Sequence, residues 1–315
     1  MTTSSEDQLR AADDQERAGD LHRVEGDLDA ALAAYTASVR LRERLARATP
    51  LDGDIARAAS VAHEKIGEIR AQRGEPGEAL AAFGEARAIR ERLVAANPDN
   101  ALLKRDLAVA LERQGQVKRA TGDLAAAATD FEACRQIREK FAAAEPDSPV
   151  TQQDLFVSLT HQGDMLRSQG DPESALRAYD RARRTAERVV ALVPDEPRLR
   201  RDLAVAWERL AGMQEKTRNL PAALDSWRHA LSVSEPLADA FPDDPALRTT
   251  PVVHLAGLAR TLAATTPEKK AEALAATDRA LSLLRPLQAA GKLDKKRNDW
   301  ITWLEGLRRE IGAHG

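Results

Sequence analysis

A chain of 315 residues with 31% charged side chains, 3% aromatics and only 17 glycines has the composition of exposed helices, not of a sandwich or barrel. Its 47 Lys and Arg against 50 Asp and Glu leave a formal charge of −3, so the basic excess that nucleic-acid binding draws on is missing. No apolar run approaches the roughly 20 residues that span a bilayer, Met1 to Arg10 is too polar for a signal peptide, and a lone Cys134 excludes an intrachain disulfide framework; together these point to a cytoplasmic protein.

Residues 1–7, Thr/Ser-rich and then acidic, have no apolar periodicity and are expected to be disordered. A polar helix should run from about Gln8 to Val24. Asp27 can cap the next, which carries Leu28, Ala31, Leu32, Tyr35, Val39 and Leu45 at the spacing of a buried face and is stopped by Pro50. From there one pattern returns every 48 residues. Gly26, Gly74, Gly122 and Gly170 mark turns, and Tyr35, Phe83, Phe131, Tyr179 and Trp227 share a second register. Prolines equivalent to Pro50 stand at 98, 146, 194 and 242, and two residues beyond each comes a possible helix cap: Asp52, Asn100, Ser148, Glu196 or Asp244, of which Glu196 is the poorest. These marks predict helix pairs at 53–72 with 76–96, 101–120 with 124–144, 149–168 with 172–192, and 197–216 with 221–240. A less regular pair should cover 245–264 and 267–289, and a final amphipathic helix about Lys295 to Ile311, with Trp300, Trp303, Leu304, Leu307 and Ile311 on one face. An internal period of this length is the mark of stacked repeats. The expected organisation is a solenoid over 8–290 and a capping helix within 291–315.

The second helices carry a signature: Ala79, Phe83 and Ala86, returning as Ala127, Phe131 and Cys134, as Ala175, Tyr179 and Ala182, and as Ala223, Trp227 and Ala230. Gly67, Gly115 and Gly163 stand 12 residues before the first Ala of each set, with Ala211 in the fourth copy. This resembles the tetratricopeptide repeat, over about residues 18–240. The repeat is longer than the family's usual length and looks like the elongated variants of bacterial signalling proteins. The resemblance implies an all-α fold, an α-solenoid of antiparallel helix pairs forming a right-handed superhelix, with small residues letting paired helices approach and the aromatic filling the next interhelical gap.

The resemblance also implies that first helices line a concave groove, on which Glu64, Glu68, Glu112, Gln116, Arg119, Thr160, Asp164, Arg167, Glu208 and Glu215 would project. Such a surface, acidic towards its middle, suits a protein or peptide segment bearing Lys or Arg. Residues that recur in register, such as Glu43, Glu91, Glu139, Glu187 and Glu235, read instead as ion pairs or solvated faces. His161 and Asp164 share a face but do not make a metal site, and Cys134 sits at a small core position. With no phosphate loop, metal motif or nucleophile cluster, no cofactor is expected. The function that follows is a non-enzymatic protein-interaction scaffold or adaptor in a bacterial signalling assembly. Its alternative is a scaffold that self-associates through the C-terminal tryptophan face.

Overall fold

The computed structural model describes residues 4–48 and 53–313. Their regular structure is helical throughout, with no strand among the described residues. The helices are α1 (Ser5–Glu25), α2 (Leu28–Ala48), α3 (Gly53–Gln72), α4 (Pro76–Ala96), α5 (Ala101–Ala120), α6 (Leu124–Ala144), α7 (Pro149–Ser168), α8 (Pro172–Leu192), α9 (Pro197–Lys216), α10 (Leu220–Ala240), α11 (Pro245–Ala263), α12 (Lys270–Ala289) and α13 (Lys295–Ala313), with a 3-10 turn at Pro267–Lys269. None of them is long and apolar enough to cross a membrane. The chain divides into two compact units, residues 1–141 and 142–315. In the first, α1 to α5 pack each on the next; in the second, α7 to α13 do the same. This is an all-α solenoid of antiparallel helix pairs.

Local chemistry explains the boundaries. Asn100 and Ser148 accept the first free N–H groups of α5 and α7, and Asp244 takes two at the start of α11. Glu196 accepts only from the N–H of Arg198, at 3.4 Å, in keeping with its poor capping propensity. Pro50 and Asp52 lie outside the described residues. Helix α1 begins at Ser5, ahead of the expected Gln8, because Ser4 and Asp7 form a reciprocal capping box: the Asp7 N–H donates to Ser4 Oγ at 3.1 Å and the Ser4 N–H to the Asp7 carboxylate at 3.3 Å. At the turns, Gly26, Gly74, Gly122 and Gly170 have φ between 74° and 88°, which only glycine adopts without strain. Arg218 takes this place at the fifth turn, at φ 61°.

In the first four pairs the aromatic packs closely against a helical glycine. A Cβ on Gly19 would sit 2.5 Å from the Tyr35 ring, on Gly67 2.6 Å from Phe83, and on Gly163 2.5 Å from Tyr179. The fifth pair has Ala211 at this place, and Trp227 instead covers Gly257 of α11. The ring then reaches the next repeat: Tyr35 packs with Ile69, Phe83 with Val117, and Tyr179 with Leu210 and Met213. At the end of the second unit Ile301, Leu304, Leu307 and Ile311 of α13 close the core over α11 and α12. Trp300 is partly packed there, but Trp303 is turned out and 47% exposed. The expected packed face was therefore drawn too wide; Ile301 occupies it and Trp303 lies at its margin.

Candidate functional site

The first helices α1, α3, α5, α7 and α9 present the side chains expected to form a binding face. Each cation here lies one helical turn before the apolar residue that meets the preceding aromatic. Lys65 reaches back to Asp20 at 2.8 Å, Arg113 to Glu68 at 3.0 Å and Arg209 to Asp164 at 2.5 Å, spans of 45 residues each. Arg260 bonds Glu215 at 3.2 Å across the same span. Near the other ends of these helices Arg57 pairs with Asp106 at 2.5 Å, and Gln153 donates to Asp202 at 2.7 Å. Two polar ladders thus tie successive first helices together inside each unit.

A second set of cations is buried. Arg42, Arg90 and Arg138, 48 residues apart, are at most 6% exposed. Arg42 meets Glu16 at 2.7 Å, Arg90 meets Glu64 at 2.5 Å and Arg138 meets Glu112 at 2.6 Å, each bridging the two helices of one pair. Charge burial of this kind is tolerable only with both partners present, and removing one leaves an uncompensated ion at a cost of about 3–5 kcal/mol. The next two places in this register are Ala186 and Ser234. In the second unit His254, fully buried, bonds Ser234 through Nδ1 at 2.9 Å and lies with Nε2 3.4 Å from Glu208.

The ten expected groove residues therefore separate. Glu64 and Glu112 are held by buried arginines, and Gln116 donates to Glu112 at 3.2 Å. Glu68 lies between Arg113 and Arg23, the latter at 2.8 Å. Buried Asp164 accepts from the Tyr179 hydroxyl at 2.6 Å besides Arg209. Thr160 turns its hydroxyl onto the Phe156 carbonyl at 2.9 Å, and Glu215 accepts from the Trp227 indole N–H at 3.0 Å. Arg119 is half-buried, and only Arg167 is exposed. The acidic surface read from the sequence is largely matched by cations of its own chain, because neighbouring repeats bring opposite charges within hydrogen-bonding reach. Recurrence of Arg42, Arg90 and Arg138 was the signal that could have shown it.

Open space lies at the C-terminal ends of these helices. In the first unit a cleft of about 530 Å³ has Ala71, Phe83, Val117 and Ala120 on its walls, with Glu68 and Arg113 at the rim. Two periods later, Arg167, Tyr179, Met213 and Lys216 line its counterpart of about 270 Å³ in the second unit, joined by Glu208 and Glu215. A third, about 630 Å³, opens where α13 stands in for a further first helix, between Arg260, Ala263, Pro267, Lys270, Leu307 and Ile311. Of the expected residues, the first cleft gathers Glu68 and Gln116, the second Arg167, Glu208 and Glu215.

Tyr35 and Tyr179 complete the electrostatics. Burial, then the carboxylate of Asp20 or Asp164 that each hydroxyl donates to, raises both phenols well above the ordinary value. For Asp20, burial acts in the opposite sense, but bonds from Lys65 and Tyr35 prevail and hold its carboxyl below the usual range.

No protein-family model matches the sequence, and no curated protein does. Among solved structures, BtubC (BKLC) from P. vanneervenii superposes with a TM-score of 0.63 at 16% identity, over 83% of this chain and 92% of that one. The S. pombe nuclear import adaptor Nro1 does so at 0.59 and 14%, over 95% and 99%. A Podosopora anserina protein with nearly identical TPR-like repeats, of the kinesin light chain type, does so at 0.54 and 13%, over 75% and 98%. With the glycine–aromatic pairs and the turn glycines repeating in register, the chain has the fold of the tetratricopeptide-like repeat proteins.

Proposed function

We propose that the chain is a non-enzymatic protein-interaction scaffold, holding a segment of another protein along its first helices with apolar side chains of the partner entering the clefts. The observation that carries this reading is the return of a cleft at one repeat position while the residues around it change, from Ala71 and Ala120 in the first unit to Arg167 and Lys216 in the second. A recurring position with variable size and lining suits selection of one segment over others. Because Glu68 and Glu215 already meet arginines, charges on the partner act on register and on-rate more than on affinity. A Lys- or Arg-bearing segment has to exchange with Arg113 or Arg260 for those carboxylates. An adaptor role in a cytoplasmic bacterial signalling assembly is supported by the elongated repeat alone.

The reading is tested by filling the first cleft. Ala71 and Ala120 are exposed helix positions on its wall, so Ala71→Trp with Ala120→Trp should keep the helical circular dichroism spectrum while removing partners captured by the wild-type chain from its native source. Capture of the same proteins by the filled variant would sink the reading. The alternative of self-association draws support from one observation, the outward position of Trp303.

A further inference from the structure

The contacts between successive repeats obey a rule that α1 keeps only in half. An apolar side chain at one place on a first helix meets the aromatic of the preceding repeat: Ile69 meets Tyr35, Val117 meets Phe83 and Met213 meets Tyr179. Four residues earlier, Lys65, Arg113 or Arg209 bonds a carboxylate of the preceding first helix. In α1 these two places hold Leu21 and Arg17. Leu21 is 58% exposed, and Val24 one turn on is exposed too, while Arg17 pairs with Asp14 of its own helix. Terminal repeats of a solenoid ordinarily turn a polar face outwards. The outer face of α1 is instead the receiving half of a repeat interface, shaped for an aromatic flanked by carboxylates.

An exposed aromatic beside a carboxylate stands on α13. Trp303 stands 47% exposed at the margin of its packed face, with the exposed Asp299 one turn before it. We propose that the protein associates head to tail with a second copy of itself, Leu21 and Val24 of one copy receiving Trp303 of another, with Arg17 opposite Asp299. This rests on the self-association reading and names its surfaces. It is independent of the clefts. A contact between two different faces leaves one of each unused at the ends, so association continues as concentration rises.

Sedimentation velocity of the full chain over a wide concentration range tests this. The wild-type mass should rise beyond that of a dimer, and Leu21→Glu and Trp303→Glu should each remain monomeric with unchanged helicity, both side chains being exposed. An equal mixture of the two variants should double in mass and stop there, because each retains one sound face. A wild-type chain that stays monomeric overturns the proposal, and so does a mixture that does not pair. Dimers of Leu21→Glu alone, showing α13 against α13, or of Trp303→Glu alone, showing α1 against α1, overturn it as well. Should Leu21→Glu fail to fold, Val24→Lys, at an 87% exposed position, replaces it. The variant with Ala71 and Ala120 replaced by Trp should associate as the wild type does, which keeps this result separate from that of partner capture.

Discussion

At Tyr35 and Tyr179 a single hydroxyl joins the two helices of a pair, donating at 2.6 Å to Asp20 or Asp164. These are the only tyrosines of the chain, so its phenolate absorbance reports on them alone. Ionising either one in the folded state would bury a charge beside a carboxylate, and both phenols are accordingly raised. A raised folded value means a stabilising contribution fully present below the unfolded phenol's pKa of about 10 and lost as pH rises past it. In an alkaline titration the phenolate band should therefore stay silent through the ordinary tyrosine range and appear only together with loss of the helical signal. Phenolate absorbance near the ordinary value with helicity intact would show that the hydroxyls are not so held. The position of the rings was legible in the 48-residue recurrence. Their bonds were not, because Asp20 and Asp164 alternate with Glu68 and Gln116 in that register, and only the first two stand beside a ring with a hydroxyl.

Between paired helices the close approach rests on a missing Cβ, and here two effects of one substitution oppose each other. Gly163→Ala should gain about 0.5–1 kcal/mol from helix propensity, but its Cβ would sit 2.5 Å from the Tyr179 ring, inside any real contact. Overpacking of this kind costs about 1–3 kcal/mol, so the net change in urea denaturation should be a loss. Ala211→Gly, where Trp227 lies over Gly257 instead, relieves no such clash and should cost both the propensity and the packing of a fully buried methyl. Equal stability of Gly163→Ala and wild type would show that the pair can open to admit a methyl group. Helix limits were readable to within a residue or two almost throughout, since proline, glycine and capping side chains act locally. Charge pairing was not. Glu64 and Glu112 look like groove residues when first helices are laid side by side, and only the fold brings Arg90 and Arg138 of the following helix onto them.

Within each unit coupling passes from one helix to the next, and the two compact units have cores of their own. Long-range contacts of this kind predict graded unfolding instead of one cooperative loss. Phe83 shows how local the effect should be: it packs with Ala79, Leu80 and Val117, spanning α4 and α5, and lies over Gly67 of α3. Truncation to Ala removes a fully buried ring at a cost of about 3–5 kcal/mol. The core formed by Trp227, Leu255, Leu262, Leu284 and Leu304 in the second unit has no residue in common with this cluster. Amide hydrogen exchange in Phe83→Ala should therefore show protection lost over α3, α4 and α5 and retained over α10, α11 and α12. Uniform loss from end to end would mean that the chain unfolds as one body, against nearest-neighbour coupling. Retained protection in α10 to α12 would also mean that the third cleft, built on α11, α12 and α13, persists when the first has lost its wall at Phe83.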